Sequence, residues 1–129
     1  MSDVPAPINQ SVWFDLPVVN LADAMSFYTG LLGWEYSQME DSALADYAMI
    51  QVRGKLIGGL RRVPALAESS GVAGPILYFT VEDLDPKIAR ARELGAQIVG
   101  MPVDLGKGRG RYQWIRDREG NLIGLWGPA

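Results

Sequence analysis

Two stretches of this chain, KLIGGL at residues 55–60 and NLIGLW at residues 121–126, carry Leu-Ile-Gly in the same places soon after a glycine turn. Arg53-Gly54 precedes the first and Glu119-Gly120 the second. The likeness extends upstream. PVVNLADAMSFYTGLLGWEY from Pro17 and TVEDLDPKIARARELGAQIV from Thr80 align Val18 with Val81, Asn20 with Asp83 and Leu21 with Leu84, all 63 positions apart. Gly33 meets Gly95 one residue out of step, and Leu56-Ile57-Gly58 meets Leu122-Ile123-Gly124 at a spacing of 66. A longer loop in the second copy accounts for the drift. Short matches in a shared order point to one supersecondary unit used twice, which restricts the fold to architectures built from two like halves.

Each copy reads as strand, helix, then three strands. Residues 12–18 alternate, with Phe14, Leu16 and Val18 on one face. Asn20 suits a helix N-cap, and Asp23 places negative charge in the first turn. Leu21, Ala24, Met25, Tyr28, Leu31 and Leu32 form an apolar stripe that Gly33 can end. Strands are predicted over 34–39, 47–52 and 56–63, with VRGKL as a tight hairpin. The second copy repeats the order: a strand over 76–81, Asp83 as N-cap, and a helix through Ile88, Ala91 and Leu94 to Gly95. Pro86 falls in the first helical turn, where its missing N–H is harmless. Strands follow over 97–103, 111–116 and 122–126. PALAESSGVAGP, residues 64–75, is the predicted linker. The expected organisation is a single domain over residues 1–129, with a first βαβββ module over 10–63 and a second over 76–127.

Neither cysteine nor histidine occurs among the 129 residues. Disulfides, thiolate nucleophiles, and thiolate or imidazole metal ligands are therefore excluded, together with the commonest general base. A cysteine-free chain suits a reducing compartment, and the polar start MSDVPAPINQ lacks the charged-then-apolar pattern of a secretory signal, so a cytoplasmic location is expected. The net charge of −3 and pI of about 4.8, without a basic stripe, argue against a nucleic-acid partner. No apolar run reaches membrane-spanning length, and no membrane partner is expected.

The order βαβββ twice, with the phrases FDLPVVNLADAMSFYTGLLGWEY and IRDREGNLIGLW, resembles the vicinal oxygen chelate superfamily, which includes glyoxalase I, extradiol dioxygenases and bleomycin-resistance proteins. VWFDLPV and IGGL look most like its glyoxalase-like members. The resemblance covers residues 12–126 and implies an α+β fold in which tandem βαβββ modules form a curled mixed sheet around a cavity. It also implies a divalent metal, held by histidine, glutamate or glutamine from the first and last strands of each module. Carried over, those positions are Trp13, Gly58, Ile76 and Gly124, none of which offers a metal-binding side chain. A one-residue slip brings in Phe14, Gly59, Leu77 and Leu125, which ligate no better. No metal and no cofactor is expected.

With the sheet curled as the resemblance implies, alternation turns Trp13 and Asp15 to the cavity, opposite Phe14 and Leu16. Ile76, Tyr78 and Thr80 join them, with Tyr47, Met49 and Gln51, Gly58 and Leu60, and Leu122, Gly124 and Trp126. Arg111 and Gln113 are further candidates for ligand contact, but their facing stays open, because Tyr112 and Trp114 could claim either face. The expected lining is aromatic and apolar with a few polar groups, which is the character of a small-molecule pocket. Trp13 and Trp126 could stack on a planar ring, or could plug the concavity or a dimer contact. Asp15, in mid-strand where Asp has poor propensity, is a candidate general base, and Tyr78 is the second candidate catalytic residue. The bland alternative pairs Asp15 with an arginine, Arg111 being one choice, or leaves it in solvent. DLGKGRGR, residues 104–111, reads as a hairpin loop at the rim that could also cradle an anion, and lacks the pattern of a nucleotide-binding loop. The carboxylates of MEDSALADY and VEDLD read as solvated surface or caps.

These readings lead to a metal-free protein, expected to be a homodimer, that binds a small, partly aromatic organic molecule. Two alternatives stay open: a metal-independent lyase, isomerase or hydrolase using Asp15 or a tyrosine, and a non-catalytic subunit or regulatory module.

Overall fold

The computed structural model of the protein describes residues 8–38, 46–64 and 74–128. The linker over 65–73 and most of MEDSALADY lie outside the described residues. The chain divides into two compact units: a first unit, Trp13–Pro75, and a second unit that combines Met1–Val12 with Ile76–Ala129. The elements run β1 Ser11–Val18, α1 Leu21–Leu32, β2 Glu35–Gln38, β3 Tyr47–Val52 and β4 Lys55–Arg62, then β5 Ile76–Thr80, α2 Leu84–Glu93, β6 Gln97–Asp104, β7 Arg111–Arg116 and β8 Leu122–Gly127. This is βαβββ twice, an α+β arrangement as the repeat implies.

Strand order is the same in both units. In the first it is β2-β3-β4-β1, with β1 parallel to β4 and the other pairs antiparallel. In the second it is β6-β7-β8-β5, with β5 parallel to β8. The Leu-Ile-Gly repeats thus fall in β4 and β8, each beside the first strand of its own unit.

Local chemistry sets the boundaries. The Asn20 side chain accepts a hydrogen bond from the Asp23 amide at 2.9 Å and caps α1, and Gly33 closes it at φ 71°. Asp83 has extended N-cap geometry at α2, but its side chain makes no capping hydrogen bond. Arg53 and Gly54, both at positive φ, form the two-residue turn that matches the twist of a hairpin. In the β7–β8 turn, the Asp117 carboxylate accepts from the Glu119 amide, the Asn121 amide and the Asn121 side chain, each at 2.9 Å.

These donors hold the Asp117 carboxyl below the usual carboxylate range, the Asn121 side chain contributing most. A depressed folded pKa stabilises the turn above the ordinary Asp value, and the effect fades as pH falls through the folded one. Asn121→Ala is expected to move the Asp117 titration back up toward the ordinary value, as read by NMR. An unmoved titration would mean that the side-chain amide is not the main cause.

Helix α2 covers one face of the second unit, where Val81, Leu84, Ile88, Ile115 and Leu125 form a buried cluster with Ile98 and Ile123 packed against it. In the first unit, Tyr28 of α1 stacks on Trp34 at 4.8 Å, and Trp34 meets Phe14 at 6.2 Å. The face carrying Phe14, Ile50 and Leu60 is therefore the helix side. The apolar stripe of α1 is only partly used, since Leu31 and Leu32 are exposed.

One irregularity changes the reading of the repeat. Ile50 pairs with Gly58 and Gln51 with Leu56, which leaves Ile57 as an extra residue in β4. The bulge shifts the correspondence by one. Asp15 sits opposite Gly59, as Tyr78 sits opposite Gly124. The structural partner of Gly124 is therefore Gly59, not Gly58. A one-residue slip exchanges the faces of a strand, so Gly59 and Arg61 share the face of Asp15, while Gly58 and Leu60 turn toward α1.

Candidate functional site

On the face of the first unit away from α1, four side chains form a connected network. Asp15 is 1% exposed. Its Oδ1 accepts the Tyr47 hydroxyl at 2.5 Å, and its Oδ2 accepts Arg61 Nε at 3.1 Å and Nη2 at 3.0 Å. The Trp13 indole N–H donates to the Tyr47 oxygen at 2.8 Å. Arg61 also lies 5.3 Å from the Tyr47 ring centre. A buried carboxylate survives only when paired and hydrogen-bonded, and this one is both. Register explains how the four meet. Asp15 is opposite Gly59, Gly59 is opposite Met49, and Tyr47 is opposite Arg61. Gly59 leaves room for the phenol, because a Cβ there would overlap the Tyr47 hydroxyl.

The second unit builds an aromatic cluster at the same place. Tyr78 lies edge-on to Tyr112 at 5.5 Å, and Tyr112 meets Trp114 at 6.1 Å. The Trp114 N–H donates to the Tyr78 oxygen at 2.9 Å, and the Trp126 N–H to the Arg109 carbonyl at 2.8 Å. Trp114 sits opposite Gly124, and Tyr112 opposite Trp126, so all of these share one face with Ile76. The Tyr78 ring lies across Gly124 and occupies the space a side chain there would fill. Tyr78 and Tyr112 are buried, whereas Trp114 and Trp126 keep part of their surface exposed.

The candidate residues from the sequence separate accordingly. Trp13, Asp15, Tyr47 and Met49 share a face in the first unit, and Gln51 follows Met49 by alternation. Ile76, Tyr78, Gly124 and Trp126 share a face in the second. Four candidates are corrected. Gly58 and Leu60 lie on the α1 side because of the bulge at Ile57, and Gly58 packs directly against Phe14. Arg111 and Gln113 lie on the α2 side of β7. Gln113 pairs opposite Leu125, and its side-chain amide donates to the carbonyls of Val99 at 2.8 Å and Gly100 at 3.3 Å, in the irregular stretch of β6, and to that of Trp114 at 2.9 Å. Arg111 pairs with Asp85 of α2 at 3.2 Å. The arginine beside Asp15 is Arg61, not Arg111.

Arg61, Gly59, Tyr112 and Trp114 were not among the sequence candidates. The adjacent glycines of IGGL were the available signal, since glycine inside a strand marks a bulge or a close approach.

Residues suited to a divalent metal are not assembled here. Among the described residues, no three histidine, cysteine, aspartate or glutamate side chains converge. The side-chain space at Gly59 and at Gly124 is taken by tyrosine rings, and both oxygens of Asp15 already accept hydrogen bonds. This donor set does not fit the metal that the resemblance implies.

A family model described as the Glyoxalase/Bleomycin resistance protein/Dioxygenase superfamily matches residues 10–125. Among curated proteins, the chain is 27% identical over 125 residues to the anthracycline biosynthesis protein DnrV of Streptomyces peucetius, covering 88% of this chain and 45% of that protein. It is 28% identical over 118 residues to CFP32 of Mycobacterium tuberculosis, covering 88% of this chain and 44% of that one. The chain thus spans a little under half the length of these curated relatives. Among solved structures, methylmalonyl-CoA epimerase from Mycobacterium tuberculosis superposes with a TM-score of 0.65 at 27% identity, covering 95% of this chain and 89% of that one.

Proposed function

The chain belongs to the glyoxalase/bleomycin resistance protein/dioxygenase superfamily, and from that premise we propose that it binds a small, partly aromatic organic molecule without the help of a metal ion. One observation carries this reading: Trp114 and Trp126 are partly exposed, and their indole N–H groups are already tied to Tyr78 and to the Arg109 carbonyl. An indole held by its N–H keeps a fixed ring surface, so two planar apolar surfaces are preorganised and little entropy is lost when a ring stacks on them. The similarity to a protein of anthracycline biosynthesis supports the same class, since anthracyclines are planar aromatic molecules. The occupied spaces at Gly59 and Gly124 support the metal-free part.

Two further proposals accompany it. We propose a homodimer, as the sequence led us to expect. Among the described residues, no helix is long and apolar enough to cross a membrane, and the absence of cysteine supports our proposal of a cytoplasmic location.

A thermal-shift series with naphthalene and anthraquinone derivatives, run with and without divalent cations, tests the reading. At a concentration about 100-fold above Kd, a ligand should stabilise the native state by about 2.7 kcal/mol, a shift of several degrees. The shift should be indifferent to cations and reduced in Trp126→Leu. The same preparation weighed by light scattering should show twice the chain mass. A shift that requires a cation, or none with any planar compound, counts against the proposal.

The Tyr47 hydroxyl, held between the Trp13 N–H and the Asp15 carboxylate, favours a second reading as a metal-independent lyase, isomerase or hydrolase. In that case Asp15→Asn abolishes turnover while binding persists.

A further inference from the structure

The loop that joins β6 to β7, residues 105–110, holds a cation that none of the roles above accounts for. Arg109 donates through Nε to the Gly106 carbonyl at 3.1 Å, and its own amide donates to the same carbonyl at 3.0 Å. The Leu105 amide closes the loop onto the Gly110 carbonyl at 3.0 Å. Among the described residues, Arg109 Nη2 is a buried side-chain nitrogen with no hydrogen-bond partner.

Such an atom is expensive to keep. A guanidinium cannot shed its proton to escape the cost, so a buried N–H without an acceptor loses its hydration with no return. Asp104, the last residue of β6, accepts the Gly106 amide at 2.7 Å through Oδ1, and Asp85 pairs with Arg111. Lys107 adds a second positive charge to the same short loop. The loop is also joined to the aromatic face, because the Trp126 N–H is anchored on the Arg109 carbonyl. Cation and indole are therefore linked through one hydrogen bond, from a β8 side chain to the backbone of the loop that carries the guanidinium.

We infer that Arg109 binds an oxyanion, carboxylate or phosphate, carried by the small molecule that stacks beside Trp126. The aromatic half of that statement rests on the function proposed above, and the anionic half stands on Arg109. The planar guanidinium suits both anions, since each offers oxygens to parallel N–H donors. The site would then prefer acids over their neutral analogues.

Calorimetric titration of the full chain with naphthalene-2-carboxylate, naphthalene-2-carboxamide and inorganic phosphate tests this, using the unaltered protein, Arg109→Met and Arg109→Lys. The acid should bind about tenfold or more tightly than the amide, the strength of a charge-assisted hydrogen bond. Arg109→Met should erase that preference and leave the amide unaffected, while Arg109→Lys retains part of it. The unliganded Arg109→Met protein should unfold at the same temperature or higher, because an unsatisfied buried group has been removed. Phosphate binding lost in Arg109→Met supports the anion site even if neither aromatic compound binds, in which case the aromatic reading alone fails. Binding of the acid without phosphate also supports the site and selects the carboxylate. The inference is overturned if acid and amide bind equally, if neither anion binds, or if the preference survives Arg109→Met. A clearly lower unfolding temperature in Arg109→Met overturns it too, by assigning the arginine a structural role.

Discussion

Replacing Arg61 by methionine is expected to lower the free energy of unfolding by about 3 kcal/mol. Asp15 is 1% exposed and Arg61 only 15%, so their pairing is shielded from water. Removing the guanidinium takes the Arg61 charge away from a buried carboxylate, and breaking a buried pair from one side costs far more than a surface ion pair contributes. Asp15→Asn in the same background should recover more than half of the loss, since a neutral amide oxygen can still accept from Tyr47. The Arg62–Asp46 pair serves as the control: it is 3.7 Å long and both side chains are largely exposed, so Arg62→Met should change stability by about 0.5 kcal/mol or less. Urea unfolding, compared at unchanged m-value, reads all three variants. If Arg61→Met costs no more than Arg62→Met, the network around Asp15 is solvated and the account of the first unit fails.

Gly124→Ala is expected to cost about 3 kcal/mol, at the upper end for an overpacked core position. The added Cβ would overlap Cδ2 and Cε2 of the Tyr78 ring, which lies across the glycine from the adjacent parallel strand. The ring cannot easily swing aside, because its oxygen accepts the Trp114 N–H and its edge meets Tyr112. Tyr78→Phe should therefore fail to rescue Gly124→Ala, since the ring itself is the obstacle, whereas Tyr78→Val should recover part of the loss. Gly54→Ala shows the contrast: a Cβ there meets nothing within 4 Å, and only the positive φ of 78° is strained, so the expected cost is about 1 kcal/mol. Chemical denaturation of the four variants tests the order. A harmless Gly124→Ala would show that the space at Gly124 is open and that the Tyr78 ring does not fill it.

Alternation and capping signals were enough to read most elements from the sequence. β3 and β7 match the predicted ranges, and α1 begins and ends at the predicted Asn20 and Gly33, because caps and periodicity are local. The two-residue turn at Arg53-Gly54 was legible for the same reason. Trp13 and Asp15 were correctly grouped with Tyr47 and Met49, since plain alternation holds along β1 and β3. Gly58 and Leu60 were not, because alternation fails at a bulge and the extra Ile57 is visible only in the pairing with β3. Arg61 was missed for the same cause: counted without the bulge, it points to the wrong face. Arg111 and Gln113 could not be assigned, because YQWI offers a large residue at every position and the choice of face falls to the partner strand.

By itself, the sequence determined that the chain is two copies of a βαβββ unit and that it has no thiol or imidazole chemistry. Both follow from local pattern and residue type. Only the tertiary structure decided which arginine meets Asp15, that tyrosine rings fill the space beside Gly59 and Gly124, and that one nitrogen of Arg109 is buried without an acceptor. Each of these depends on strand register or on a contact between residues distant in the chain, and no periodicity within a single strand encodes them.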